Sequence, residues 1–512
     1  METVKSLTTY TSESYAFSEE MWYISIGYII KKMSNSGESL TKSFTWTAVD
    51  RFSNLFIQFV LGIVIARLVT PAEYGILGIL MVFINISNVF IDSGLSSALI
   101  YQNKLCSKNL NTTFAFNLCI SSLIYAIIFF VSPLVEAFYN LPKLSIYLRV
   151  SALVLFVNSL VDVPTAILKI KLDFKSLAIS NMFSTFLSGV VGIYYAYHGF
   201  GIWALIIQLL SRNTLLSLML YVQCRWLPTL AFDVDTFKGL YRYGVNIFSA
   251  SCLTKIIEEG TSFIIAKVLT PFSLGIYSRS IQFASLPTSS VGGIISSALF
   301  PSLSSIKDDE KRLNDVFKKV VEYQSAICIP IFLWFAMSAE PIIRLLLTDK
   351  WIDVVPVLQI LCICRILVPT AYITEQVINA KGRSDLFFRQ QVVKMFVKLA
   401  FILFFVQYGL MAVAIADGVY TIMQFFITNY YAKDMTTFSC RQQLVVSLPY
   451  IISAIVSAIC GYMVIRIQDN LYLQILSSFF VAIPLYTLLV VKFFHKPIIG
   501  EIRAKISHQI GR

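Results

Sequence analysis

The feature that most constrains this chain is a repeat. Ile65-Ala66-Arg67-Leu68-Val69-Thr70-Pro71, followed by Gly75-Ile76, returns two hundred residues later as Ile265-Ala266-Lys267-Val268-Leu269-Thr270-Pro271, followed by Gly275-Ile276. The same offset carries Ser96-Ser97-Ala98-Leu99 onto Ser296-Ser297-Ala298-Leu299, and 11 of 36 positions agree between 65–100 and 265–300 without a gap. In both copies Thr-Pro separates two apolar helices, because proline cannot sit inside one without losing a backbone hydrogen bond. A long repeat of apolar helices implies two equivalent lobes, the plan of many membrane transporters.

The apolar stretches are too many for a water-soluble core. Hydrophobic residues make up 57% of the 512 and charged residues 14%, against about 25% charged in soluble domains. A spanning helix needs about 20 apolar residues, and the pattern predicts fourteen spans: about 44–68, 74–99, 112–137, 145–167, 176–197, 201–223, 243–267, 273–300, 317–338, 355–379, 387–407, 410–431, 446–466 and 472–494. The expected fold is therefore all-α and polytopic, with two pseudo-symmetric six-helix lobes plus two extra helices. The division is a polar segment 1–42, a lobe over 43–225, a linker 226–242, a lobe over 243–432, the last two spans within 433–495, and a basic tail 496–512. Within the first segment, Met21–Ile30 is too short to span and reads as a surface stretch, with Met33 as an alternative start. Lys and Arg number 18 in the loops after even-numbered spans and 6 after odd-numbered ones. Cationic loops stay inside, which puts both termini in the cytoplasm. The same rule accounts for the net charge of +12 without nucleic acid as a partner.

No catalytic pattern stands out. The chain has no Walker loop or GxSxG, and its three His are scattered. Neither a metal site nor a bound cofactor is expected, and Cys362-x-Cys364 lies inside a helix without metal-site spacing. Asp233-Val234-Asp235 looks like a glycosyltransferase metal motif, but acidic residues ahead of a helix are ordinary caps. Charges within spans say more, since each costs about 2.5–3.5 kcal/mol at the bilayer centre unless partnered or wet. The candidate cavity cations are Arg51, Arg212, Lys255, Arg279, Arg365, Lys394 and Lys398. The acids Asp92, Glu258, Glu259, Glu375 and Asp417 are candidates for ion coupling or for pairing with them. Spacing puts Lys255 with Glu259 and places Lys394 and Lys398 on one face. Asp50, Arg51, Arg279, Lys394 and Lys398 lie near enough to span ends to reach headgroups, while Arg212 could meet Asp162. Cations outnumber acids, which suits an anionic substrate between the lobes.

Ala66-Arg67-Leu68-Val69-Thr70-Pro71-Ala72-Glu73-Tyr74-Gly75, with Phe90, Asp92, Gly94-Leu95 and Ala98-Leu99-Ile100, resembles the opening hairpin of bacterial polysaccharide-transport flippases. These belong to the multidrug/oligosaccharidyl-lipid/polysaccharide exporter superfamily. Leu274-Gly275-Ile276-Tyr277-Ser278-Arg279-Ser280, Phe300-Pro301-Ser302-Leu303-Ser304, Asp349-Lys350-Trp351 and Asn379-Ala380-Lys381-Gly382-Arg383-Ser384-Asp385 are similar to the colanic-acid-exporter-like branch. The resemblance implies two lobes around a cavity open to alternate sides, in the inner membrane. Its implied substrate is an undecaprenyl-diphosphate-linked oligosaccharide repeat unit, moved for O-antigen, capsule or exopolysaccharide assembly. Membrane lipids surround it, and a polymerase or other assembly protein is an open partner. The resemblance implies a transporter and not an enzyme. The alternatives are a drug or cation exporter of the same superfamily, whose cavity would be acid-rich, and a membrane polymerase or ligase, which would show large external loops.

Overall fold

The computed structural model describes residues 37–92, 95–102, 106–306 and 309–493. The N-terminal stretch with Met33 and the basic tail lie outside the described residues. In chain order the first lobe comprises α1 (Gly37–Leu68), α2 (Pro71–Asp92), α3 (Leu95–Gln102), α4 (Ser107–Tyr139), α5 (Leu144–Ala152), α6 (Val154–Ile170), α7 (Phe174–Tyr197) and α8 (Ile202–Cys224). The second comprises α9 (Val234–Val268), α10 (Pro271–Ser305), α11 (Glu310–Met337), α12 (Ala339–Leu347), α13 (Val354–Cys364), α14 (Val368–Ala380), α15 (Ser384–Phe405) and α16 (Leu410–Ala432). A hairpin of α17 (Cys440–Ile467) and α18 (Leu471–Leu488) follows. Among the described residues, twelve helical stretches are long and apolar enough to cross a membrane. The other two expected spans fall on α9 and α10, 35 residues each, which carry Lys255, Glu258, Glu259 and Arg279. Helix α9 begins at Val234, inside the segment expected to be a linker.

Both repeats form the same local structure. Thr70 is followed by Pro71 at the first position of α2, where a missing N–H is harmless. The Glu73 carboxylate accepts the Thr70 backbone N–H at 2.8 Å, closing a capping box. In the second copy Thr270 Oγ1 accepts the Ser273 N–H at 3.2 Å, again with proline first in the helix. Other boundaries correspond too. Leu172 and Gly382 turn left-handed before α7 and α15, with φ of 57° and 70°. The fourth span of each lobe is interrupted, at Leu153 between α5 and α6, and at the 3-10 turn Arg365–Leu367 between α13 and α14.

The two repeats meet back to back. A Cβ on Gly75 would collide with the Pro271 carbonyl, and one on Gly275 with the Pro71 carbonyl. Glycine at both positions lets α2 and α10 cross backbone to backbone. Around this crossing one buried cluster draws on both lobes, including Ile65, Ala66, Val69, Ile265, Ala266 and Ile276. Among the described residues, two further buried clusters each draw on one lobe. One cluster is built on Leu99, Phe114, Val163 and Leu220, another on Leu313, Phe317, Ile373 and Val377. The lobes thus share a core at the Thr-Pro end, while at the other end Phe237 of α9 packs against the cluster of the first lobe.

Candidate functional site

Among the described residues, the densest group of charges lies in the second lobe, around the interrupted span. Arg365 sits on the 3-10 turn and donates through Nη2 to Asp417 of α16 at 3.4 Å. Lys398 of α15 approaches the other Asp417 oxygen at 3.9 Å and stands 5.6 Å from the Tyr420 ring centroid. One turn earlier Lys394 is buried, with an ion pair to Glu375 of α14 and a hydrogen bond to Gln390 at 3.3 Å. Lys394 and Lys398 do share a face, as their spacing requires, but each has its own carboxylate on a different helix. Three cations meet two acids here. Asp417 serves two of them, and the Arg365 Nε–H is buried without an acceptor. A cation held this loosely retains donor capacity for an anion.

The remaining candidates fall elsewhere. Lys255 pairs with Glu258 at 2.6 Å and not with Glu259, because the i+3 carboxylate reaches the ammonium on an exposed face. Glu259 instead accepts from Asn85 of α2 at 2.8 Å, a bond between the lobes. Arg279 does not reach for headgroups. It is 6% exposed, with its guanidinium 3.8 Å from the Tyr74 ring centroid and 5.7 Å from that of Trp351, and it donates to Gln282 at 2.5 Å. That cage draws on both lobes just beneath the Thr-Pro turns. Lys394 likewise is enclosed rather than interfacial. Arg212 donates to Thr185 at 3.3 Å, while Asp162 accepts from Asn117 at 3.3 Å. Asp50 accepts from Asn54 at 2.7 Å and Asn181 at 3.3 Å, and neighbouring Arg51 is exposed. The side chain of Asp92, last residue of α2, lies outside the described residues.

Asp233 is a cap. Its carboxylate accepts the Thr236 N–H at 2.8 Å, opening α9, and bridges to Lys108 at 2.9 Å. These contacts, Thr236 first and Lys108 second, hold its pKa down to about 2.

Asn85 and Gln390 escaped the sequence reading, and Tyr74 and Trp351 stood there only within the family-like motifs, with no part in a site. Uncharged polar and aromatic residues are common in spans, and only tertiary contact distinguishes these four. One signal was available for another pair: Arg67 and Lys267 occupy the same repeat position and are both basic.

Two lobes of membrane-crossing helices, related by an internal repeat and joined at one end, define the class: a multi-pass membrane protein with a two-lobed transporter fold. Residues 64–356 match the family described as "Polysaccharide biosynthesis protein", and the chain belongs to that family. It is 26% identical over 363 residues to an "Uncharacterized membrane protein in cps region" of Klebsiella pneumoniae, covering 70% of this chain and 74% of that one. It is 23% identical over 335 residues to the "Succinoglycan biosynthesis transport protein ExoT" of Rhizobium meliloti (strain 1021), covering 65% of this chain and 68% of that one. The fold matches that of the lipid II flippase MurJ in an inward closed conformation with a TM-score of 0.72 at 16% identity, over 90% of this chain and all (100%) of that one.

Proposed function

We propose that this chain flips an undecaprenyl-diphosphate-linked oligosaccharide repeat unit across the bacterial inner membrane, for assembly of a surface polysaccharide. The observation that carries the reading is the Arg365–Asp417–Lys398 group at the interrupted span, in a chain of this family. A diphosphate entering between the lobes needs cations that are inside the membrane yet not fully neutralised. Arg365 and Lys398 share one carboxylate, so charge is left over for the ligand. Asp417 and Glu375 keep the cations tolerable when no substrate is bound, and each is also placed to take part in ion coupling. Glu259, bonded to Asn85 across the lobes, would feel any relative movement of the two.

The work is transport and not bond chemistry, so no covalent step is assigned. The 18-to-6 distribution of basic loop residues supports cytoplasmic termini and, with them, a Thr-Pro end on the outer side.

The test is complementation. In a strain lacking its own flippase for a surface polysaccharide, the chain should clear lipid-linked repeat units from the inner face. Arg365→Ala and Lys398→Ala should each restore the accumulation at normal membrane yield, with a loss of clearance of about tenfold or more if each removes one charged hydrogen bond. Unchanged clearance in both variants would remove the cluster from the transport path.

A further inference from the structure

The repeat position before Thr-Pro is basic in both lobes, and each of these side chains crosses to the other lobe. Arg67, at the end of α1, donates through Nε to the Leu346 carbonyl at 2.8 Å and through Nη2 to the Leu345 carbonyl. Both carbonyls lie in the last turn of α12, where backbone oxygens have no partner within the helix and the helix dipole is negative. Lys267, at the end of α9, donates through Nζ to the Phe138 carbonyl in the last turn of α4, and stands 4.0 Å from the Phe138 ring centroid. Helix α4 is the third span of the first lobe, and α12 continues the third span of the second. The cation of each lobe therefore caps the corresponding helix end of the other.

We infer that Arg67 and Lys267 form a reciprocal latch that holds the lobes together at the Thr-Pro end, and that its release opens this end during the transport cycle. The inference rests on the flippase reading above. It explains why these contacts are built from exposed cations and helix-end carbonyls and not from buried pairs. Both kinds of group hydrate readily once apart, so releasing these two contacts strands neither cation nor carbonyl; the buried Trp351 Nε1–Ala66 carbonyl bond, 2.9 Å long, is a further link between the lobes that opening must break. The Arg279 cage beneath differs: its guanidinium is buried between rings from the two lobes and cannot be rewetted without breaking the core.

The full chain in lipid nanodiscs, followed by amide hydrogen exchange over 130–142 and 339–351, tests this. Arg67→Met and Lys267→Met keep an apolar stem and remove the donor. Each single variant should speed exchange about tenfold or more in both segments, through the loss of one charge-assisted hydrogen bond at Lys267 or two at Arg67, because the lobes part as bodies. Arg67→Lys and Lys267→Arg keep a donor and should stay near the wild-type rate. Faster exchange confined to the helix end that lost its cap would overturn the latch and leave two local caps. Unchanged exchange would overturn it as well. Clearance of lipid-linked units in the complemented strain is scored in parallel. If the wild-type chain fails to clear them, the flippase reading falls while the exchange data still decide the latch.

Discussion

The two lobes repeat each other in backbone and part company in charge. Setting the turn at Leu172 on that at Gly382 aligns α7 with α15, and places Ser184 and Ser188 where the second lobe has Lys394 and Lys398. Setting Gly201 on Gly409 aligns α8 with α16 and puts Leu209 opposite Asp417. At the interrupted span, Leu155 and Thr165 stand opposite Arg365 and Glu375. None of the five ionic positions is ionic in the first lobe. Its own polar group is built mainly from amides and hydroxyls: Asn54 and Asn181 on Asp50, Thr185 on Asn54 at 2.9 Å, and Arg212 on Thr185. Symmetry is thus kept where the lobes touch and abandoned where a ligand would sit. On the proposed function, a scaffold would fix the movement and one half would carry the charge for binding.

That comparison can be broken most forcefully at Asp417. Removing its carboxylate in Asp417→Ala leaves Arg365 and Lys398 enclosed without a counter-ion, and a loss of about 3–5 kcal/mol is expected. The check is the thermal midpoint of the purified protein in detergent. An unchanged midpoint would mean that water already solvates both cations and that the group is a cavity wall, not a packed network. The reverse experiment places charge in the quiet lobe. Ser188 is 1% exposed, so Ser188→Lys should lower membrane yield through a penalty of about 2.5–3.5 kcal/mol. If the lysine is accepted there, the first lobe has hidden wet space and the asymmetry is one of sequence only.

The smallest expected effect is outside the membrane. Asp233, depressed to about 2, favours the folded state while it is ionised. That contribution is complete above its unfolded pKa and disappears as pH falls through the folded value. Asp233→Ala should therefore show a lower thermal midpoint near neutrality and converge with wild type as the pH approaches 2. A constant gap would assign the effect to lost cap geometry and not to charge.

Much of the fold was legible in the sequence, and the reason lies in its solvent. Hydrocarbon forces backbone pairing into helices, so apolar runs and Thr-Pro turns mark the spans with little ambiguity. The charged residues were legible as a set but not as pairs. Lys255 faces acids at both i+3 and i+4, and spacing could not choose between Glu258 and Glu259. Arg365 and Asp417 are 52 residues apart, and only the packing of α16 against the interrupted span brings them together. Arg279 misled for a different reason: position along a span suggested an interfacial cation, whereas Tyr74 and Trp351 from two lobes enclose it.

The crossing of α2 and α10 has a consequence for how such proteins diversify. Its contact surface is main chain against main chain, Gly75 on the Pro271 carbonyl and Gly275 on the Pro71 carbonyl. Atoms of the backbone are the same whatever the neighbouring residues become. The axis about which the halves are joined is therefore insulated from drift in the lining. On the proposed function, a lineage would exchange one glycan for another by rewriting side chains in the charged half, while two glycines and two prolines keep the crossing constant.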